Sequence, residues 1–277
     1  MNTCDINTWE NFTSWELVSP PSRPDHWQLE IIREILMDVP ISADIAVLGS
    51  TIEFRNLLAE LNYKNIFVFE RNRAFYEYIS RYKSFDYKET LVVGNWLDTL
   101  FNYSDRFAVI LSDLTSGNVS YSNRSQFYHG ISGALLQSGY FIDRILTKSC
   151  PLIPIQRLIK KYSNLIITNK TVNSFNCEVM FCSTLLKNED KIVDTSTFYD
   201  ILLDLQIPRI SEFVQACYDI TPRKCVWWYS KPWSQEKKVY ETCLSILKAY
   251  DEPPTSEYAN RCKLLVSCRK EYNYGNS

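Results

Sequence analysis

The stretch "IAVLGSTIEF" at residues 45–54 decides how the chain is read. Four apolar residues lead to Gly49, Ser50 and Thr51 make a small polar break, and a helical pattern opens at Ile52. A short apolar strand that turns at a glycine into a helix is the first unit of a doubly wound sheet. The turn is nevertheless poor in glycine, as is the whole chain, with 7 glycines in 277 residues. Phosphate-cradling loops depend on glycine for close backbone approach. The stretch therefore poses a choice between a phosphate ligand, a different cofactor and none.

On the N-terminal side, "RPDHWQLEIIREILMDV" (23–39) spaces Trp27, Ile31 or Ile32, and Ile35 helically, with Asp25 placed to cap. On the C-terminal side, apolar runs at 65–70, 90–96, 106–114 and 139–146 alternate with helical patterns, one of them over roughly 122–137. Near-continuous apolar strands separated by helices predict a parallel sheet covered on both faces, and right-handed crossovers make it doubly wound. Beyond it, "NCEVMFCSTLL" (176–186) and "RCKLLVSCRK" (261–270) read as two more strands. Between them come helical candidates at 196–205 and 210–219, the aromatic run "CVWWYSKPW", and a long amphipathic helix through "SQEKKVYETCLSILKAYD". The expected organisation is a leader and helix over 1–40, a Rossmann-like core over 41–186, a helical insertion over 187–260, and a last strand with its tail over 261–277.

Composition narrows the class of function. A formal net charge of -2 gives no global electrostatic case for nucleic acid or an anionic membrane. No apolar run reaches membrane-spanning length, and the first residues lack a basic region followed by an apolar one, so a cytoplasmic protein is expected. The 9 cysteines form no CxxC pair and only 2 histidines accompany them, so no metal site is expected.

In such sheets ligands bind outside the carboxyl ends of the strands, near the point where strand order reverses. That rule nominates Gly49, Ser50, Thr51 and Glu53 after the first strand, Glu70 and Arg71 after the second, Asn95 and Trp96 after the third, and Asp113 and Leu114 after the fourth. Glu70 stands about twenty residues past the first turn, where an acid suits bidentate hydrogen bonding to ribose hydroxyls; the competing role is a solvated helix cap. An amide such as Asn95 pairs with an adenine edge and an indole such as Trp96 walls the ring. Glu53 puts a carboxylate where a dinucleotide pyrophosphate would lie, which disfavours such a ligand.

The order of strand-Gly49, strand-Glu70, "GNW" (94–96), strand-Asp113 and "ALLQSGYFIDRIL" (134–146) resembles the class I S-adenosylmethionine-dependent methyltransferases. "SPPSRPDHWQLEIIREIL" and "VLGSTIEFRNLL" are similar to a divergent bacterial branch of that superfamily with leader "PLRP" and first turn "LG-x-T-P-E". The first motif departs from the usual acid-x-Gly-x-Gly-x-Gly, with Val47, Thr51 and Glu53 in the places of the acid and the later glycines; Gln137-Ser138-Gly139 stands for Pro-Gly-Gly. The resemblance implies a seven-stranded sheet completed by the terminal strand pair. It also implies S-adenosyl-L-methionine as cofactor and methyl transfer to an O or N nucleophile of a small molecule or modified peptide. The ammonium and sulfonium of that cofactor tolerate Glu53. Candidate catalytic groups are His129, His26 and Asp113, and candidate substrate contacts are Tyr121, Tyr128, Trp227 and Trp228, with Arg23 brought toward the cofactor carboxylate by the leader. If strand 178–186 is parallel to the first five, the insertion emerges above the active site. A non-catalytic binding or assembly protein, motivated by the eroded first motif, and a nucleic-acid methyltransferase, motivated by Arg223, Lys224, Lys231, Lys237 and Lys238, stand as alternatives.

Overall fold

A computed structural model describes residues 14–20, 22–148, 151–185, 192–221, 226–228, 231–253 and 262–270. Five strands lead the sheet in chain order: β1 (Asp44–Leu48), β2 (Asn65–Glu70), β3 (Thr90–Val93), β4 (Phe107–Asp113) and β5 (Leu135–Leu146). A two-stranded antiparallel pair, β6 (Ile192–Asp194) and β7 (Val226–Trp228), stands apart, and β8 (Leu244–Asp251) and β9 (Cys262–Arg269) return to the main sheet. Its order is β3-β2-β1-β4-β5-β9-β8, with β1 to β5 parallel and β9 antiparallel to both β5 and β8. The order reverses between β1 and β4, which places the ligand crevice at their carboxyl ends.

Each face of the sheet buries its own layer. Helices α1 (His26–Leu36) and α2 (Ile52–Glu60) lay Ile32, Leu36, Phe54 and Leu58 on Ile45, Val47, Val109, Leu111 and Ile142. As expected, Asp25 caps α1, accepting from the His26 amide at 2.7 Å within a capping box shared with Gln28. Two helices follow β2 and β3, α3 (Arg73–Ile79) and the short α4 (Trp96–Thr99); then α5 (Arg124–Ala134) lays Phe127, Tyr128 and Ile131 on the opposite face against Leu48, Ile110, Phe141 and Leu265. Alternation along β4 and β5 sends neighbouring residues to opposite layers. A glycine is required at 139, where an added Cβ would lie 2.8 Å from the Phe107 carbonyl oxygen, beside the register shift between Phe107 and Val109.

The segment after β5 forms helices α6 (Ile155–Tyr162), α7 (Asn169–Cys182), α8 (Thr195–Leu203) and α9 (Pro208–Ile220), and α10 (Trp233–Tyr240) precedes β8. The expected helices at 196–205 and 210–219 are thus present, but the expected strand at 176–186 is not. Residues 172–180 are buried all round, so the run carries no alternation by which strand and helix differ, and a Thr168–Thr171 capping box starts a helix. The partner of β9 is instead 244–251, which lies within the expected helix over "SQEKKVYETCLSILKAYD". That helix stops at Tyr240 without glycine or proline, and the following residues pair with β9 through a register shift between Ile246 and Lys248. Helices α6 to α9 bury Leu158, Phe175, Val179, Phe213 and Val214 together with Ile52, Ile79, Trp15 and Val18. Because Ile52 opens α2 directly above the end of β1, this helical cap sits over the carboxyl edge of the sheet.

Candidate functional site

Gly49 ends β1 at φ +84°, a left-handed conformation that favours glycine, and its amide donates to the Phe69 carbonyl at 2.8 Å. The Trp96 indole donates to the same carbonyl at 2.9 Å, and its ring stands 3.9 Å from where a Gly49 Cβ would be. Trp96 is thereby fixed as a wall beside the turn. Asn95 caps α4 by accepting from the Leu97 amide at 3.1 Å. Thr51 occupies the N-cap position of α2, with no capping hydrogen bond to its hydroxyl among the described residues.

Glu70 is 8% exposed and both of its oxygens are engaged: Oε2 accepts from the Ser50 hydroxyl at 2.9 Å and Oε1 from the Asn72 amide at 2.9 Å. Burial pushes its carboxyl above the ordinary glutamate range, opposed by the Asn72 amide, the Ser50 hydroxyl and the charge of Arg55. Each carboxylate oxygen keeps a lone pair for a further donor. Arg71, next in sequence, is exposed.

A second carboxylate faces the same edge. Glu53, in the first turn of α2, has an ion pair with Arg23 at 3.6 Å, while its buried Oε2 has no hydrogen-bond partner among the described residues. Burial pushes this carboxyl up to about 7, with Arg23 and Arg144 pulling down and Asp113 pushing up. Asp113, the last residue of β4, pairs with Arg144 of β5 at 2.5 Å, and the Arg144 side chain is 1% exposed. Burial raises the Asp113 carboxyl and Arg144 opposes that. Leu114 follows at φ 53°, strained for a branched apolar residue, with its amide on the Arg144 carbonyl at 2.8 Å. Sequence reading missed Arg144, although a charged pair inside the apolar run "YFIDRIL" was the signal. It missed equally the tie of Gln28 to Glu252, 2.9 Å, which fastens α1 to the end of β8.

The histidines do not join this cluster. His26 is 85% exposed at the start of α1, facing Glu30. His129 is exposed beside Phe101, because with α5 starting at Arg124 the stripe of 127, 128, 131 and 134 faces the core and 129 does not. Tyr128 belongs to that buried stripe, 4.8 Å from the ring of Tyr240, so it packs in the core instead of lining an open pocket. Tyr121 is half-buried between Arg124 at 5.6 Å and Lys231 at 5.2 Å. Trp227 and Trp228 lie in β7, with side chains outside the described residues; Arg223 and Lys224 fall outside the described residues altogether. Of the remaining basic candidates, Lys231 is 7% exposed, whereas Lys237 and Lys238 are exposed on α10, Lys237 pairing with Glu241 at 3.6 Å. Among the described residues no helix is long and apolar enough to cross a membrane.

No protein-family description and no curated protein sequence matches the chain. Solved structures do. A protein of Rhodobacter sphaeroides named for zinc-dependent alcohol dehydrogenases aligns over 95% of this chain and 96% of its own, with TM-score 0.58 at 15% identity. A protein of Listeria monocytogenes assigned as an S-adenosylmethionine-dependent methyltransferase aligns over 90% and 100%, with TM-score 0.52 at 12% identity. A SAM-dependent methyltransferase of Leishmania major aligns over 94% and 79%, with TM-score 0.51 at 11% identity. A dinucleotide-binding sheet runs parallel in the order 3-2-1-4-5-6, whereas here the antiparallel β9 is inserted between β5 and β8. The chain has the fold of the class I S-adenosylmethionine-dependent methyltransferases.

Proposed function

We propose that the protein is a methyltransferase that uses S-adenosyl-L-methionine and alkylates an oxygen or nitrogen nucleophile of a small molecule or modified peptide in the cytoplasm. The observation that carries this reading is the buried, polar-held Glu70 carboxylate at the end of β2, one strand from the positive-φ Gly49. Its remaining lone pairs suit the two hydroxyls of a ribose. The unpartnered Glu53 oxygen suits an ammonium, and Arg23 beside it suits a carboxylate, so the donor set matches an amino-acid end and not a pyrophosphate. When bound, the cofactor supplies an electrophilic methyl group on a sulfonium.

The chain's own residues orient and enclose. Trp96 walls the base side, Glu70 and Ser50 hold the sugar, and Glu53 with Arg23 hold the amino-acid end. The helical cap over the carboxyl edge excludes water, which favours transfer between the reacting pair over hydrolysis. Asp113 is the candidate base that the fold brings to this edge: as a carboxylate it accepts the proton of an O–H or N–H acceptor, with Arg144 keeping it oriented. A neutral amine needs no such base. The fit is tested by titration calorimetry with S-adenosylhomocysteine; no heat and no thermal shift at millimolar ligand refutes it. A second reading, a non-catalytic binding or assembly protein, draws on the Ser50 hydroxyl already holding Glu70 and on the lost glycines. It predicts no binding of S-adenosylhomocysteine in the same titration.

A further inference from the structure

Arg55, on the first turns of α2, is the largest buried polar investment near the site. Its side chain is 0% exposed and that of its partner Glu89, just before β3, is 1% exposed. The guanidinium holds the carboxylate with two nitrogens, Nε to Oε2 at 3.0 Å and Nη2 to Oε1. Nη2 also donates to the Ser80 hydroxyl at 2.7 Å, and the plane lies 4.7 Å from the Tyr76 ring centroid. Glu89 is further tied by the Tyr76 hydroxyl at 2.7 Å and the Lys83 ammonium at 2.9 Å. Burial works against its ionisation, but Arg55, Lys83 and Tyr76 outweigh it and hold the carboxyl below the ordinary range. Such a buried pair is a weak way to add stability, and α2 already docks through Phe54, Leu57 and Leu58.

The remaining nitrogen shows what the pair does. Nη1 of Arg55 donates to the Ser50 carbonyl at 3.3 Å, in the peptide that joins Ser50 to Thr51. The Ser50 hydroxyl in turn donates to Glu70. We infer that Arg55, clamped by Glu89, is a positioning residue for the cofactor site: it fixes the Ser50 peptide so that the Ser50 hydroxyl and the Glu70 carboxylate meet in the ligand-ready arrangement. In this chain a guanidinium does what backbone fit does in a glycine-rich turn, which explains how "GSTIE" dispenses with the later glycines. The inference rests on the cofactor reading above. The titratable and charged groups around the guanidinium are Glu89, Lys83, Tyr76 and Tyr87; Arg55 is the charge acting on Glu70, whose oxygens accept from the Ser50 hydroxyl and the Asn72 amide.

The test is calorimetric affinity for S-adenosylhomocysteine from pH 5 to 9, with folding checked by circular dichroism, for the wild type, Arg55→Lys and Arg55→Met. Arg55→Met is expected to weaken binding at least ~10-fold, and to move the acid limb of the affinity profile to higher pH, since Glu70 loses the charge that eases its ionisation. Arg55→Lys keeps the charge but not the fork, so affinity falls several-fold while the acid limb stays in place. A merely structural role does not separate these two variants. Wild-type binding with folded Arg55→Met unchanged in affinity and pH profile overturns the inference. Failure of the wild type to bind overturns the cofactor reading beneath it. Should Arg55→Met not fold, Ser50→Ala, which leaves the Arg55–Glu89 pair intact, must weaken binding and shift the acid limb in the same direction; an unchanged profile overturns the inference.

Discussion

Replacing Glu53 by Gln should make the free protein more stable and the bound protein weaker, with opposite pH dependences. In the fold, burial takes this carboxyl from the ordinary 4.5 to about 7. A carboxyl raised in the folded state binds its proton more tightly there than in the unfolded chain. Its contribution is therefore fully present below the unfolded value and is lost as pH rises through about 7. A change from 4.5 to about 7 corresponds to about 3 kcal/mol at alkaline pH. Gln does not titrate, so the Glu53→Gln variant should gain on the wild type by ~2 to 3 kcal/mol between pH 5 and pH 8. Urea unfolding followed by circular dichroism at the two pH values measures this directly. Ligand reverses the sign. An ammonium placed on Glu53 favours the ionised carboxylate, so at pH 8 the variant should bind S-adenosylhomocysteine ~10-fold or more weakly, the scale of a hydrogen bond to a charged group. Methylthioadenosine, which lacks the amino-acid end, should bind both proteins alike. An equal stability difference at pH 5 and pH 8 refutes the burial argument. Equal loss for both ligands refutes the placement of the ammonium.

Three further outcomes follow from the same coordinates. Glu70→Ala should weaken S-adenosylhomocysteine by one to a few kcal/mol, about the cost of lost bonds to a charged acceptor; unchanged affinity means that the ribose lies elsewhere. Asp143, fully buried near Tyr128 and Tyr240, is pushed from 3.8 to about 7, chiefly by burial, with the Ser112 hydroxyl opposing. Its contribution is likewise lost as pH rises through about 7, so Asp143→Asn should stabilise the protein by up to ~4 kcal/mol at pH 8 and little at pH 4 in urea titrations. Gly139→Ala puts a methyl 2.8 Å from the Phe107 carbonyl oxygen and should cost ~1 to 3 kcal/mol in the same assay, a loss absent from Gly133→Ala, where nothing lies within 4 Å.

The parts of the fold that announce themselves in sequence are those whose hydrophobic pattern matches one period only. β1, β2 and β4 are apolar runs too short for buried helices, each followed by a turn, and their order alone sets the crevice. Helix α7 of the cap and the closing strand β8 were not legible for the same physical reason, whereas α8, α9 and β9 were. Residues 172–180 are buried all round, and "LSILKAYD" continues a helical spacing into what the partner β9 makes a strand. Tertiary pairing, not local preference, decides both. At the site, residues whose place is set by the end of a strand, such as Gly49 and Glu70, could be located from the sequence. His129 could not, since one residue along a helix moves a side chain by a quarter turn and more. Arg55 and Glu89 were invisible because nothing in a sequence marks two charges, thirty-odd residues apart, as a buried pair.

The insertion of β9 between β5 and β8 has a consequence for synthesis. The chain leaves the sheet at Leu146 and closes it only with residues 262–269. Until those residues leave the ribosome, β5 carries an unpaired edge and Phe141, Ile142 and Ile145 lack the cover of Leu264 and Leu265. The nascent protein thus exposes an unpaired, largely apolar strand edge through the making of the entire helical cap. A stop codon shortly before Cys262 would remove one strand from the gene and detach two from the sheet, because β8 is held there by β9 alone.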